Sequence, residues 1–255
     1  LSIVEDYKKY LPLQHLQCKE TGQVIQRKFA LKFIKKNIEV IGYFDDDIIF
    51  EDKTVSNFID FWNSFKKKPA GVSLNIINLP DLLDNPIRRL FLMPTSPYGK
   101  VLRSGYNTPI TNIKENIKSQ WLLGGATFWR RDILDQYDVE KEKSSWAICE
   151  DLIFSYPISK HENLFVCYDA KVTTLDYQSI DDSFNRILWR SKQSVTRRYK
   201  FVSLNKDLSK IMFFWMLIGQ LIGYIFLIYK HPLKSIGSFC GILIGIFFCI
   251  LPIKN

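Results

Sequence analysis

Val40-Ile41-Gly42-Tyr43-Phe44-Asp45-Asp46-Asp47 is the stretch from which the fold of this chain is read. Five mostly apolar, β-favouring residues run straight into three carboxylates. The apolar run reads as a buried strand. The acids then sit at its C-terminal end, where open α/β sheets place their ligands. Three adjacent anions repel one another. A hard divalent cation, Mg²⁺ or Mn²⁺, carrying a substrate phosphate offsets that repulsion with oxygen ligands alone. A solvated acidic turn fits the same string.

On the N-terminal side, Val24, Ile25, Phe29, Ala30, Leu31, Phe33 and Ile34 recur at helical spacing, which predicts a helix over 23–36 feeding a strand over 38–44. Leu13 to Cys18 reads as a short strand. On the other side, Asp52 or Thr54 is expected to cap a helix running to about Phe65. A strand is expected from Gly71 to Asn78, followed by an irregular stretch from Asp81 to Gly105. Helix alternating with strand is α/β grammar.

Two later motifs carry chemistry. Gly124-Gly125 implies a backbone that a ligand approaches closely, or a plain turn. Arg130-Arg131 starts a short helix, and Phe165 to Tyr168 reads as a strand. Glu150-Asp151 stands amid apolar residues. There a carboxylate finds partners or has its pKa raised, as a general base requires. The same pair suits the first turn of a helix over 152–156.

With 255 residues, 47% of them apolar and 15% aromatic, general disorder is excluded. The net charge is +9, but the basic residues are dispersed and no zinc-finger or RNA-binding signature is present, so nucleic acid is set aside as a partner. The five cysteines, Cys18, Cys149, Cys167, Cys240 and Cys249, form no CxxC pair and read as reduced thiols. The segment from Phe184 to Phe201 is basic and aromatic, fit to hold phosphate, to lie on a membrane surface, or to be a solvated amphipathic helix. Ile211 to Tyr229 and Ser235 to Ile253 carry no charge, and each is close to the roughly 20 residues a spanning helix needs. Lys230 to Lys234 joins them. Gly219, Gly223, Gly237, Gly241 and Gly245 suit close packing of such a hairpin in lipid.

Taken in order, Gln26-Arg27-Lys28, the strand into Asp45-Asp46-Asp47, Gly124-Gly125 with Arg130-Arg131, and Glu150-Asp151 with Phe154-Ser155-Tyr156 resemble the family 2 glycosyltransferases with a GT-A fold, over residues 13–200. The resemblance is to membrane-anchored bacterial members. It implies an α/β, GT-A-like mixed sheet flanked by helices over 1–200, a basic juxtamembrane linker over 201–210, and a transmembrane helical hairpin over 211–255. It implies that Asp45 and Asp47 hold the metal, with Asp47 the more direct ligand, and that Arg27, Asp45 and Asp46 lie on the donor side. Gly124 and Gly125 would line the acceptor pocket. Asp151 would be the catalytic base, with Glu150 beside it. The partners implied are a nucleotide-diphosphate sugar, a glycan or lipid-linked acceptor, and membrane lipids. The place implied is the inner cell membrane, multi-pass, with the catalytic domain cytoplasmic.

The chain departs from that family in three ways. Nothing before Leu13 matches the family's opening nucleotide-binding βα unit, so the fold is expected to be N-terminally incomplete. Pro157 stands where an Arg is usual and is expected to disturb or end its helix. A His usual near the domain's end is absent from the Lys171–Asp176 stretch, and the loosely similar Gln193 to Tyr199 segment carries no role over. Two other readings compete with glycosyl transfer. One is an inactive membrane-bound module that keeps only part of the fold. The other is phosphoryl transfer on the aspartates, for which no Gly-rich phosphate loop is present.

Overall fold

The computed structural model describes residues 2–137, 148–175 and 183–251. The chain divides into two compact units, residues 1–38 with 138–147, and residues 39–137 with 148–255. In the first unit, α1 (Ser2–Tyr7) and α2 (Gln23–Leu31) are the regular elements among the described residues. The expected strand over 13–18 is absent: a strand exists through its ladder, and no described residue pairs with it. Helix α2 stops at Leu31 rather than Lys36. It has no buried residue, and helices of this length draw most of their stability from packing.

The second unit holds the sheet. Its strands are β1 (Val40–Phe44), β2 (Ile48–Phe50), β3 (Gly71–Ile76), β4 (Ile117–Ser119), β5 (Ala126–Arg130) and β6 (Leu164–Thr174). The order is β1-β5-β3-β6-β2, with β4 also on β6. Strands β1 and β3 pair antiparallel with β5, whereas β3 and β6 are parallel. Every residue of β3 is buried, as a central strand covered on both faces should be. Its two polar side chains are satisfied: Asn75 Nδ2 donates to Ile113 O at 3.1 Å, and the Ser73 hydroxyl donates to Ala126 O at 3.3 Å.

Helix α3 (Thr54–Asn63) covers one face through Phe58 and Trp62, which pack on Val72, Leu74 and Val172. The Phe58 and Phe128 rings stack at 3.7 Å. Truncating either aromatic to Ala costs about 3–5 kcal/mol by the usual cavity arithmetic. Neither Asp52 nor Thr54 caps α3. Lys53 holds the N-cap position with φ 63°, while the buried Thr54 hydroxyl lies between the carbonyls of Glu51 (2.7 Å) and Lys171.

The stretch from Asp81 to Gly105 is irregular but contains α4 (Pro86–Leu90), started by Pro86 and capped by Asn85, whose side chain accepts from Arg88 N at 2.8 Å. Short α5 (Arg131–Gln136) follows β5, so Arg130 ends the strand and Arg131 opens the helix. Helix α6 (Glu150–Ser159) runs through Pro157 instead of ending there. An interior proline costs about 3 kcal/mol. Leu152, Ser155, Tyr156 and Ile158 are all buried and hold the helix against that cost. Strand β6 extends the expected 165–168 run as far as Thr174, because its second half pairs with β2.

Three helices complete the unit: α7 (Phe184–Leu204), α8 (Lys210–Leu227) and α9 (Pro232–Ile250). Both α8 and α9 are long and apolar enough to cross a membrane. They expose Ile211, Phe226, Phe247 and Ile250 among other large apolar side chains, a surface that marks a membrane or protein contact rather than water. Their glycines do not zip the pair together. A Cβ on Gly237, Gly241 or Gly245 would meet Ile187, Leu188 or Val195 of α7, and one on Gly219 would meet Phe91.

Candidate active site

The three aspartates join the two ends of the strand order, since β1 leads into them and β2 leaves them. Asp45 N donates to Gly125 O at 2.9 Å, and Asp45 O accepts from Ile48 N at 3.3 Å, which turns the chain. Asp46 is exposed in that turn. The Asp47 carboxylate accepts from the Thr174 hydroxyl at 2.7 Å, and its carbonyl accepts from Leu175 N at 2.8 Å. The acids are thus held from two sides, by the β5 entry and by the end of β6.

Gly125 owes its identity to Asp45. A Cβ there would lie 2.2 Å from Asp45 Oδ2, so any side chain would displace the carboxylate. The sequence left the Gly124-Gly125 pair open to close approach by a ligand or to a plain turn. The close approach is by the protein's own acid.

The same loop reaches α6. Leu122 N donates to the Ser155 hydroxyl oxygen at 3.2 Å, and that hydroxyl donates to Asp151 O at 2.5 Å. Glu150 and Asp151 fill the first turn of α6, where the helix dipole favours negative charge. Asp151 Oδ1 accepts from Leu152 N at 2.8 Å. Cys149 precedes them with φ 61°; burial pushes its thiol pKa up, against the adjacent Arg198 guanidinium. Arg198 Nη1 also donates to Gly105 O at 2.5 Å and Asn107 Oδ1 at 2.9 Å, so α7 is fastened beside the start of α6. The basic helix is therefore not a freely solvated face.

At the far end of α6, Tyr156 and Lys160 bind Asp207 in the α7–α8 link, Lys160 Nζ at 2.5 Å. Burial raises the Asp207 carboxyl, but these two hydrogen bonds outweigh it and hold it below its usual value. Burial, then the Asp207 contact, pushes the Tyr156 phenol up.

The loop 121–125 thus touches the acidic turn at one end and the Glu150-Asp151 helix at the other. Thr174 was not singled out in the sequence, and Ser155 was quoted only as part of the Phe154-Ser155-Tyr156 segment, with no role. Thr174 reaches Asp47 across 127 residues and Ser155 accepts from Leu122 N across 33, and a lone hydroxyl carries no periodic signal. Arg130 and Arg131 serve structure: Arg130 binds Asp132 at 2.6 Å and Lys68 O at 2.9 Å, and Arg131 pairs with Asp135 at 3.0 Å. Arg27 lies on α2 in the first unit.

Among the described residues no three His, Cys, Asp or Glu side chains form a group that could hold a metal ion alone. A donor set of two carboxylates is of the kind that binds Mg²⁺ or Mn²⁺ together with substrate phosphate and water. The room that Gly125 leaves is taken by the Asp45 carboxylate itself.

A crystal structure of residues 1–349 of TarS from S. aureus, a glycosyltransferase, is similar to this chain, with TM-score 0.55, 15% identity, and 98% of this chain and 67% of that chain covered. The fold is therefore that of a glycosyltransferase-like α/β protein: a mixed sheet flanked by helices, with two apolar helices at the C-terminal end. No protein-family model matches the chain. No curated protein matches it either.

Proposed function

We propose that this chain is a family 2-like, metal-dependent, inverting glycosyltransferase that takes a sugar from a nucleotide diphosphate and passes it to a glycan or lipid-linked acceptor at a membrane. The observation that carries the reading is the loop 121–125. It backs directly onto Asp45 and, through Ser155, onto Asp151. The loop thus links the Asp45 turn to the backbone of the α6 start that carries Asp151, and acids at these positions suit two roles. Asp45 and Asp47 would hold a divalent cation, which when bound neutralises charge on the leaving diphosphate. Asp151, at the dipole end of α6, would accept the acceptor hydroxyl proton, with Glu150 beside it. A single displacement by that hydroxyl inverts the anomeric centre. Arg27 and Asp46 are assigned to donor binding, and Gly124 to the acceptor side, from the resemblance alone.

The test is calorimetric titration of the full chain with nucleoside diphosphates, with and without Mn²⁺, beside a transfer assay. Binding should require Mn²⁺. Asp151→Asn should keep binding and lower turnover at least a hundredfold, the usual scale for losing a general base. Absence of any Mn²⁺-dependent binding would return the chain to a structural membrane module.

The anchor is α8 with α9, at the cytoplasmic face of the inner membrane where sugar nucleotides reach the cleft. Its seat is shallow. Helix α9 runs against α7, and Lys192 Nζ stands 3.9 Å from the Phe248 ring centroid. An ammonium in that place is costly at bilayer depth and natural at the interface. The multi-pass crossing expected from segment length predicts otherwise. A single Cys introduced at His231 decides between them: labelling by an impermeant reagent only after lysis supports the shallow seat, and labelling of intact cells establishes the crossing.

A further inference from the structure

A cavity of about 640 Å³ opens between α4, α7, α8 and Ile242 of α9. It is separate from the acidic turn, and the transfer reaction leaves it unused. Its volume lies within the range that holds one small-molecule-sized ligand. The walls are mostly apolar and come from the helices that face the membrane. Phe226, which lines it, is 73% exposed. Polar groups also line it: Arg88, Tyr106, Ser191 and Ser194, with Gln220 and Tyr224 of α8.

Arg88 sets the chemistry. Its Nη2 donates to Tyr106 OH at 3.0 Å, while its Nε is buried with no hydrogen-bond partner among the described residues. Asp84, whose carboxyl Arg88 also helps to lower, is bound by Arg89 Nη2 at 2.5 Å. A buried guanidinium N–H left unmade is costly, and a phosphate oxygen is its natural acceptor. Gly223 shapes the apolar part. No atom lies within 4 Å of where its Cβ would stand, so the open face of α8 there is free space.

We propose that this cavity binds one phosphate-headed lipid of the bilayer, its headgroup on Arg88 and a hydrocarbon chain along α8 past Gly223. The charge of Arg88, the Tyr106 hydroxyl beside it and the continuity of the cavity with the exposed side of α8 all select an anionic amphiphile. The inference rests on the membrane seat of α8 and α9 but not on glycosyl transfer.

The full chain in an uncharged detergent is titrated with hexadecyl phosphate, with hexadecanol and with inorganic phosphate, and binding is read by calorimetry. Hexadecyl phosphate should saturate near one per chain, and the other two should bind at least tenfold more weakly. Arg88→Gln should weaken hexadecyl phosphate at least tenfold, and Arg88→Lys should retain part of the affinity. Gly223→Leu fills free space and so should fold, yet it should also block the chain and weaken binding at least tenfold. Equal binding of inorganic phosphate would mean a bare anion site, and equal binding of hexadecanol would mean an unspecific apolar cleft; either overturns the proposal. So does unchanged affinity in folded Gly223→Leu. Nucleotide binding by these variants should equal that of the parent, which separates failure here from failure of the transferase reading.

Discussion

At the end of β1 a glycine makes room for a carboxylate; along α9 three glycines make room for another helix. Both absences of a side chain are tight. A Cβ at Gly125 would stand 2.2 Å from Asp45 Oδ2, and one at Gly241 would stand 2.5 Å from the Leu188 carbonyl oxygen. What differs is what is being approached. In the sheet the neighbour is an ionisable group at the tip of a side chain, the kind of group the proposed chemistry needs. In the helices it is backbone at Gly241 and apolar side chain at Gly237 and Gly245, so the space serves packing. A glycine therefore reports close approach and nothing about purpose, and only the neighbour distinguishes a site from a scaffold.

The largest effect is expected at the sheet. Gly125→Ala should displace Asp45, and a displacement of about 1 Å at a reacting centre can cost a hundredfold in rate. Overpacking adds about 1–3 kcal/mol of lost stability. Gly125 does not have the positive φ that would strain an alanine by itself, so the clash with Asp45 is the whole cost. A double-mutant cycle measures this. In an Asp45→Ala background the stability penalty of Gly125→Ala should largely vanish, since the offending oxygen is gone. A penalty that persists unchanged would place the conflict elsewhere and remove the link between the loop and the acidic turn.

The two regions also differ in how far they could be read in the sequence. The β1 stretch was legible because a buried strand is a local pattern: Val40 to Phe44 folds within two residues of the expected bounds, and the acids follow it. Helices α8 and α9 were legible as long uncharged runs, and α6 through the two acids of its first turn. What joined them was not. Thr174 on Asp47, the Ser155 hydroxyl on the Leu122 backbone, and Arg198 beside Cys149 are contacts between groups far apart in the chain. Propensity does not encode such pairings. Pro157 shows the opposite failure: a strong local rule was overridden by the burial of Tyr156 and Ile158 on either side. The small-residue spacing of α9 was read as a close-packing stripe, and the partner it meets is α7. A stripe of glycines on one helix contains no information about which neighbour fills it.

That partner sets the smaller and final test. If α9 is seated on α7, its glycines cannot be enlarged, while Gly223 of α8 can. Gly241→Ala pushes a Cβ against the Leu188 carbonyl, which belongs to α7's own hydrogen-bonded backbone and cannot rotate away. Overpacking of this kind costs about 1–3 kcal/mol, reduced by the roughly 1 kcal/mol that alanine gains over glycine within a helix. Gly223→Ala has no neighbour to meet and keeps only the gain. Thermal unfolding in one detergent should therefore move the two variants in opposite directions, by about 2–4 °C per kcal/mol for a chain of this size. Two equal gains would mean that α9 stands clear of α7. The glycines would then be available to a transmembrane partner, the Lys192 contact with Phe248 would lose its meaning, and the argument for a shallow membrane seat would go with it.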